Sequence, residues 1–127
     1  MQLKRLDHVN VRTTNLDAMI AWYTEILGMT SGARPNFPFP GAWMYVNDDP
    51  VVHLVGVSGD PGTGSESPLK LEHFALSATG LSTFEQRLTE AGERFERRDV
   101  PGMPITQFNV WDPDGNHIHI DFDSSEA

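Results

Sequence analysis

The sequence predicts an α+β protein made of two copies of one module, each with a strand, a helix and three further strands, the helices lying outside a curved sheet. The segment LDHVNV at 6–11 resembles LEHFAL at 71–76, an offset of 65 positions. Similar offsets, of 64 to 66 positions, relate His53 to His119, Leu16 to Leu81 and Gly28 to Gly92. Both halves also show the same order of strand and helix patterns, which indicates a duplicated unit of roughly 60 residues.

The first strand and the first helix of the chain follow each other directly. Residues 5–13 alternate well enough for a strand, with His8 and Arg12 on one face. Apolar side chains then repeat at helical spacing, at Leu16, Met19, Ile20, Tyr23, Ile26 and Leu27. Asn15 is a good N-cap and Gly28 a good stop, so the sequence predicts a helix between them.

The rest of the first copy is predicted to be three strands and an irregular loop. The strands are expected at 29–34, 42–47 and 51–57. Three prolines within 34–41 remove backbone donors and fix φ, so this segment is expected to be a stiff aromatic loop. The sequence Asn-Asp-Asp-Pro at 47–50 predicts a hairpin-type turn between the last two strands.

The second copy repeats this order of elements. A strand is expected at 70–78 and a helix at 81–91, followed by strands at 94–99, 105–111 and 116–122. The inward side of the helix is expected to carry Leu81, Phe84 and Leu88. The two copies thus share one architecture.

Chain length and composition indicate one domain over residues 1–127. With 127 residues and 39% hydrophobic content, the chain is large enough to bury a core. A segment rich in Gly, Ser, Pro and Asp occupies 58–69 and predicts a linker. We therefore expect a first module at 1–57 and a second at 70–127 within the single domain.

The charge and residue usage exclude several kinds of partner and site. A formal net charge of −9 disfavours nucleic acid, which is bound through clustered Lys and Arg. The sequence has no cysteine, so histidine and carboxylate are the strong metal ligands available. No leader sequence or membrane-spanning run is apparent, so a cytoplasmic protein with a small-molecule partner is expected.

The last predicted strand carries chemical side chains on one face. His117, His119 and Asp121 alternate with Ile118, Ile120 and Phe122. Because successive strand residues point to opposite faces, the first three share one face, which predicts half of a metal site. His117 and Asp121 are candidates for acid and base catalysis, or for holding a ligand imidazole in place. Alternatively, His117 lies at the rim of the site in water.

Three motifs resemble those of the vicinal oxygen chelate superfamily, which includes glyoxalase I, bleomycin resistance proteins and extradiol dioxygenases. They are LDHV at 6–9, AWYTEILG at 21–28 and DPDGN at 112–116. The resemblance implies two βαβββ modules that form a cupped mixed sheet around a divalent metal, often within a homodimer. It covers nearly the whole chain.

The resemblance also implies a ligand set on the first and last strands of the modules. The matching positions are His8, His53, His73 and His119. The isomerase branch usually has glutamate at the positions of His53 and His119, so four histidines disfavour glyoxalase I activity itself. Imidazole ligands suit Zn, Fe, Ni, Cu or Mn, and the identity of the ion is left open. His53 is a fourth ligand or a catalytic group that points at the substrate.

Further side chains are candidates for substrate binding. Arg12 shares a face with His8 and could clamp a carboxylate or phosphate, although a lone strand arginine is also commonly a solvated charge. Trp43 and Tyr45 share a face, as do Asn109 and its strand neighbours Gln107 and Trp111. These side chains could line a pocket for a planar ligand, and packing explains the aromatic ones equally well.

Two classes of function follow from these features. The first is a metal-dependent enzyme that binds two neighbouring oxygens of a small metabolite, with isomerase, lyase or dioxygenase chemistry. The alternative is a protein of the bleomycin-resistance type, which sequesters a drug or metabolite without chemistry. Four placed histidines favour the enzyme.

Overall fold

A computed structural model of the chain describes residues 1–66 and 68–127, and Ser67, in the predicted linker, lies outside the described residues. The protein divides into two compact units, Met1–Thr63 and Gly64–Ala127. Each unit has one four-stranded mixed sheet and one α-helix, in the order strand, helix, three strands. The predicted α+β class and the repeated order of elements are therefore confirmed.

The first unit contains β1 (Val9–Thr13), α1 (Leu16–Glu25), β2 (Thr30–Gly32), β3 (Gly41–Val46) and β4 (Asp49–Gly56). Its strand order is β1-β4-β3-β2. The β1 and β4 strands are parallel, and the other neighbours are antiparallel. The helix is thus the crossover that brings the chain back to the same sheet.

The second unit contains five regular elements and a terminal turn of 3₁₀-helix. They are β5 (Phe74–Ser77), α2 (Leu81–Glu90), β6 (Phe95–Asp99), β7 (Ile105–Trp111), β8 (His117–Asp123) and the 3₁₀-helix Ser124–Glu126. The strand order β5-β8-β7-β6, with β5 and β8 parallel, repeats that of the first unit. In both units the central strands are the last two of the module.

Both modules begin their first strand later than the sequence predicts. The strands expected at 5–13 and 70–78 are paired only from Val9 and Phe74, with Phe74 opposite Ile118. The partner strands extend one residue further, since β8 begins at His117 and β4 includes Val51. His8 and His73 are nevertheless outside the ladders, and each lies directly before a strand.

The core of the second unit confirms the predicted division of β8 into two faces. Ile118, Ile120 and Phe122 are each less than 5% exposed. Aromatic rings from α2 and β7 pack among them, with Phe84 and Phe108 at a centroid distance of 5.6 Å and Phe108 and Phe122 also at 5.6 Å. Burial of this apolar face stabilises the sheet and leaves the opposite face for polar side chains.

The ends of α1 partly follow the sequence prediction. Asn15 is the N-cap residue but makes no capping hydrogen bond through its side chain. The helix ends at Glu25, before the predicted Leu27, because Gly28 takes a φ of 71° and the N–H of Met29 donates to the carbonyl of Tyr23 at 3.0 Å. Within the part of the chain that the structure describes, no helix has the length and apolar character needed to cross a membrane.

Candidate metal centre

Three imidazoles gather at one place in the second unit. The ring of His73 stacks on that of His119 at 3.7 Å, and His117 meets His119 edge to face at 4.7 Å. One ring nitrogen of each histidine lies within 4.8 Å of those of the other two. The parallel pairing of β5 with β8, which sets Ala75 opposite His119, brings the first and last strands of the module together at this point.

Carboxylate and amide oxygens fix the orientation of two of these rings. Nδ1 of His73 donates to Oε2 of Glu72 at 2.9 Å. Nε2 of His117 donates to Oδ1 of Asn109 at 2.8 Å. The hydrogen bond from His73 is the largest cause that lowers the pKa of Glu72. The charges of His73 and His117 lower this pKa further. Metal-binding histidines are held by partners of this kind, which set the tautomer and the ring orientation.

The cluster contains ring nitrogens that are buried without a hydrogen bond. They are Nε2 of His119 and Nδ1 of His117, in side chains that are each 6% exposed. Burial first, and then the neighbouring His73 and His117, lower the pKa of His119 from 6.5 to about 4. A neutral imidazole with a buried lone pair is the form that binds metal, so the residues fit a divalent ion with a preference for nitrogen ligands.

A buried acidic turn positions the start of β8. Oδ1 of Asp112 accepts from the backbone N–H of Asp114 at 3.0 Å and of Asn116 at 2.9 Å. Oδ2 of Asp112 accepts from the side-chain amide of Asn116 at 2.8 Å, and Asp112 is only 4% exposed. Gly115 supplies the positive φ of 84° that the turn requires. The turn therefore determines where His117 enters the sheet.

A second polar chain on the same face ends at Asp121. Nε and Nη2 of Arg98 donate to Oε1 of Gln107 at 3.1 and 2.9 Å. Because arginine only donates, the amide group of Gln107 must face Asp121, where Nε2 donates to Oδ1 at 3.0 Å. Among the described residues, Oδ2 of Asp121 accepts no hydrogen bond, so one carboxylate oxygen is held and the other is available.

The first unit contains a stack of three aromatic rings. His53 lies between Trp43 at 4.0 Å and His8 at 3.9 Å, and both pairs are nearly parallel. Nδ1 of His8 donates to Oδ2 of Asp7 at 2.7 Å, and Nε2 of His53 donates to the carbonyl of Pro50 at 2.9 Å. Burial, followed by the charge of His8, lowers the pKa of His53. The two predicted ligands of this unit are thus in contact.

The other candidates for substrate binding have different surroundings. Arg12 is exposed on β1. The end of its side chain lies near Gly62, with Nη2 at 3.5 Å from the place where a Cβ atom would stand if that residue had one. The Tyr45 hydroxyl donates to the carbonyl of Ala33, which ties this side chain to the neighbouring strand. Asn109 is 5% exposed and holds His117, as described above. The structure brings Trp43 to His53 and Asn109 to His117. The contacts described for Arg12 and Tyr45 are with other residues.

Sequence reasoning missed the carboxylates that hold the first-strand histidines. Asp7 precedes His8, and Glu72 precedes His73, and each accepts a hydrogen bond from Nδ1 of the following ring. The signal was present in the duplicated segments 6–11 and 71–76, which share an acidic residue before the histidine. The same hydrogen bond in both units indicates a shared role in orienting the imidazole.

The fold and the histidine cluster define a class of protein. Residues 5–120 match the family model of the Glyoxalase/Bleomycin resistance protein/Dioxygenase superfamily, and the chain belongs to that superfamily. The crystal structure of a glyoxalase family protein from Bacillus anthracis has a TM-score of 0.79 at 21% identity, covering 97% of this chain and 98% of that one. This likeness confirms the fold that the resemblance implies.

Two curated relatives are dioxygenases by name. The manganese-dependent 2,3-dihydroxybiphenyl 1,2-dioxygenase of Geobacillus genomosp. 3 is 41% identical over 75 residues, which cover 57% of this chain and 22% of that protein. Biphenyl-2,3-diol 1,2-dioxygenase 3 of Rhodococcus globerulus is 27% identical over 126 residues, which cover 94% of this chain and 64% of that protein. The chain therefore spans less than two thirds of the length of either relative.

Proposed function

We propose that the protein is a metal-dependent enzyme that binds two neighbouring oxygens of a small metabolite at a divalent ion. The observation that carries the proposal is the cluster of His73, His117 and His119, in which Nε2 of His119 is buried without a hydrogen bond. Buried polar atoms normally have a partner, and a bound ion would supply one here. The proposal retains the metal-ligand roles of His73 and His119, together with those of His8 and His53.

The bound ion would act as a Lewis acid toward a carbonyl, enolate or hydroxyl oxygen of the substrate. Around it, the protein's task is to orient the imidazoles and to move a proton. Glu72 holds the ring of His73 through a 2.9 Å hydrogen bond. Asn109 holds His117 in the same way at 2.8 Å. His53 retains its alternative role as a group that polarises the substrate.

Asp121 is the candidate for proton transfer that the contacts support best. Gln107 and Arg98 fix one of its carboxylate oxygens, and the other accepts no hydrogen bond from the described residues. A carboxylate held in this way can accept a proton from a substrate hydroxyl or carbon acid within hydrogen-bond reach. His117 was the other candidate from the sequence, and its contacts favour a different role, which is proposed below.

Among the possible reactions, oxidative cleavage of an aromatic diol is the first to test, because the two relatives described above carry dioxygenase names. A substrate with two adjacent hydroxyls matches the expected binding of neighbouring oxygens. Isomerase and lyase reactions are the alternatives within the same proposal. Trp43, which stacks on His53, offers a flat surface for an aromatic substrate in the first unit.

The test begins with metal content. Elemental mass spectrometry on protein without an affinity tag should give about one transition metal per chain in the wild type, and a loss in His73→Ala and His119→Ala. Oxygen uptake with 2,3-dihydroxybiphenyl, measured after loading with manganese(II) or iron(II), then tests the dioxygenase branch. Turnover of a hemithioacetal instead would assign the isomerase branch, and no metal in any preparation would contradict the enzyme.

An exposed aromatic group in the first unit favours a second function, the sequestering of a planar drug or metabolite. Phe37 and Phe39 stack at 5.0 Å, and they remain 40% and 41% exposed. The guanidinium carbon of Arg34 lies 5.1 Å from the centroid of each ring. Titration calorimetry with planar aromatic ligands on the metal-free protein would detect this function, since it requires binding without turnover.

The remaining expectations concern organisation and location. We propose one domain over 1–127 with modules at 1–57 and 70–127 and a linker at 58–69, and a homodimer as the assembly. Light scattering coupled to size-exclusion chromatography would measure the assembly directly. The cytoplasmic location and the substrate-binding roles of Arg12 and Tyr45 stay predictions.

A further inference from the structure

We propose that His117 is a metal ligand through its Nδ1 atom, so that the second unit alone offers three imidazoles to one divalent ion. The proposal rests on the proposed function, because it adds a residue to that metal site. The family resemblance assigns no ligand to this position. The offset of 66 that relates His53 to His119 places Val51 at the position of His117, so the first unit has no corresponding imidazole.

The contacts of Asn109 determine which nitrogen of His117 carries the hydrogen. The Nδ2 amide group of Asn109 points at the carbonyl of Glu96 at 3.5 Å, which leaves Oδ1 to face His117 at 2.8 Å. Oδ1 is an acceptor, so Nε2 of His117 must be the donor. In the neutral ring the lone pair is then on Nδ1, as a metal ligand requires.

The surroundings of Nδ1 call for a cation. This nitrogen is buried without a hydrogen bond, and it lies 3.2 Å from Oε1 of Glu72. The distance alone would suit an ion pair, but the contact lacks the geometry of a hydrogen bond. With the ring hydrogen on Nε2, the lone pair of His117 Nδ1 faces the carboxylate of Glu72. A nearby positive ion would stabilise both groups.

The same cluster contains the second unpartnered nitrogen, Nε2 of His119. Leaving a buried polar atom unpaired costs on the order of 1–3 kcal/mol, so two such atoms in one cluster require a physical reason. The described residues contain two others, in Trp22 and Ser65, and neither belongs to a group of imidazoles. A shared metal ion would satisfy both nitrogens of the cluster at once.

The three rings must close on an ion that they share. One ring nitrogen of each histidine lies within 4.8 Å of those of the other two. With metal–nitrogen bonds of about 2.1 Å in a tetrahedral site, two ligand nitrogens lie about 3.4 Å apart, so the most widely spaced pair must approach by up to about 1.4 Å. Side-chain rotations would have to supply this movement. Glu72 and Asn109 then hold His73 and His117 from behind, as partners of ligating histidines commonly do.

The direct test is two-bond ¹H–¹⁵N correlation spectroscopy of the histidine rings, with and without zinc(II). The chain has five histidines, so each ring can be assigned from single variants. In the metal-free protein, we expect His117 to carry its proton on Nε2. One equivalent of zinc(II) should shift the Nδ1 resonance of His117 together with a ring nitrogen of His119. A ring of His117 protonated on both nitrogens, or unmoved by zinc while His119 shifts, would overturn the proposal.

Zinc affinity of the metal-free protein provides an independent readout. His117→Phe keeps a flat ring beside Trp111, which stacks on His117 at 5.1 Å, but removes the nitrogens. We expect at least about a 100-fold loss of affinity, beyond the usual effect of losing an outer partner. Trp111→Phe disturbs the same packing and keeps the ligand, so its affinity should stay within about threefold. Equal losses in both variants would assign the effect to packing and contradict the ligand role.

The two experiments separate this proposal from the proposed function. If the wild type binds none of zinc(II), manganese(II) and iron(II), the metal-dependent enzyme itself is contradicted. If the wild type binds metal and His117→Phe binds it equally well, only the proposed ligand role of His117 is contradicted. Circular dichroism and thermal melting of each metal-free variant establish that the compared proteins are folded.

Discussion

Nδ1 of His73 donates a 2.9 Å hydrogen bond to Oε2 of Glu72, the residue that precedes it in the chain. The bond leaves Nε2 of the ring free to bind a ligand. Such a carboxylate raises the basicity of a ligating imidazole and fixes its tautomer. Glu72 is therefore predicted to contribute to metal affinity by orienting His73.

We predict that Glu72→Gln lowers the affinity for zinc(II) by roughly 10-fold, the lower end of the range for partners of ligating histidines. The amide still accepts a hydrogen bond but has no charge. Isothermal titration calorimetry on metal-free protein measures the change. Glu85→Gln is the control, because it breaks an ion pair with Arg97 at 2.7 Å, and no contact of Glu85 with a histidine occurs among the described residues. An unchanged affinity in Glu72→Gln would contradict the orienting role.

Asp112 is predicted to be important for stability. Its carboxylate accepts two backbone hydrogen bonds and one from the side chain of Asn116, and it is 4% exposed. In Asp112→Asn one carboxylate oxygen becomes a donor and faces other donors, which should cost about 2–3 kcal/mol of the free energy of unfolding. Urea denaturation measures the loss, and Asp48→Asn in an exposed turn is the control, expected within about 0.5 kcal/mol.

The lowered pKa of His119 predicts how the free energy of unfolding of the metal-free protein changes with pH. Burial and the neighbouring His73 and His117 lower its pKa from 6.5 to about 4. The unfolded chain therefore binds a proton at a higher pH than the folded one does. Above pH 6.5 the group has no effect, and stability falls as the pH drops from 6.5 to 4. The loss attributable to this group is on the order of 2–3 kcal/mol.

Replacing His119 with an uncharged side chain should remove that part of the pH dependence. We predict that the free energy of unfolding of His119→Asn falls less between pH 7 and pH 4 than that of the wild type, measured by urea denaturation in chelated buffer. The variant's stability at pH 7 is the reference for each curve, which corrects for lost packing. Parallel curves for the two proteins would show that His119 titrates normally.

The repeated elements could be predicted from the sequence because their signals are local. Leu16 and Leu81 begin the two helices, as their 65-residue offset implies. The alternation in β8 also predicted correctly that Ile118, Ile120 and Phe122 face the core, since the side-chain period of a strand depends on neighbouring residues alone. The family resemblance added the expectation of two βαβββ modules with mixed sheets.

The polar network behind Asp121 could not be predicted in this way. It depends on register, which sets Arg98 opposite Gln107 and Gln107 opposite Asp121 across three strands. A one-residue slip would move Gln107 to the other face of the sheet. The orientation of the Gln107 amide also depends on Arg98, and no motif in the sequence around Arg98 indicates this contact. Such contacts follow from tertiary pairing, as does the placement of Asn109 beside His117.

A further contact that local signals missed joins the end of the chain to the start of α2. Oε2 of Glu126 accepts from the backbone N–H of Gly80 at 2.7 Å and of Leu81 at 3.3 Å. Helix α2 has no side-chain cap from its own N-cap residue, Gly80. Glu126 therefore satisfies donors at the helix N-terminus, and its negative charge is favourable beside the positive end of the helix dipole.

We predict that Glu126→Ala lowers the free energy of unfolding by about 1 kcal/mol, the typical value of a lost N-cap. Glu126→Gln keeps an acceptor and should lose about half as much. Glu90→Ala removes a carboxylate at the other end of the same helix, where a negative charge is unfavourable, so it should cost less than Glu126→Ala. Urea denaturation of the three variants compares them. Equal effects at both helix ends would contradict a capping role for Glu126, because only the N-terminus has free backbone donors for a carboxylate to accept.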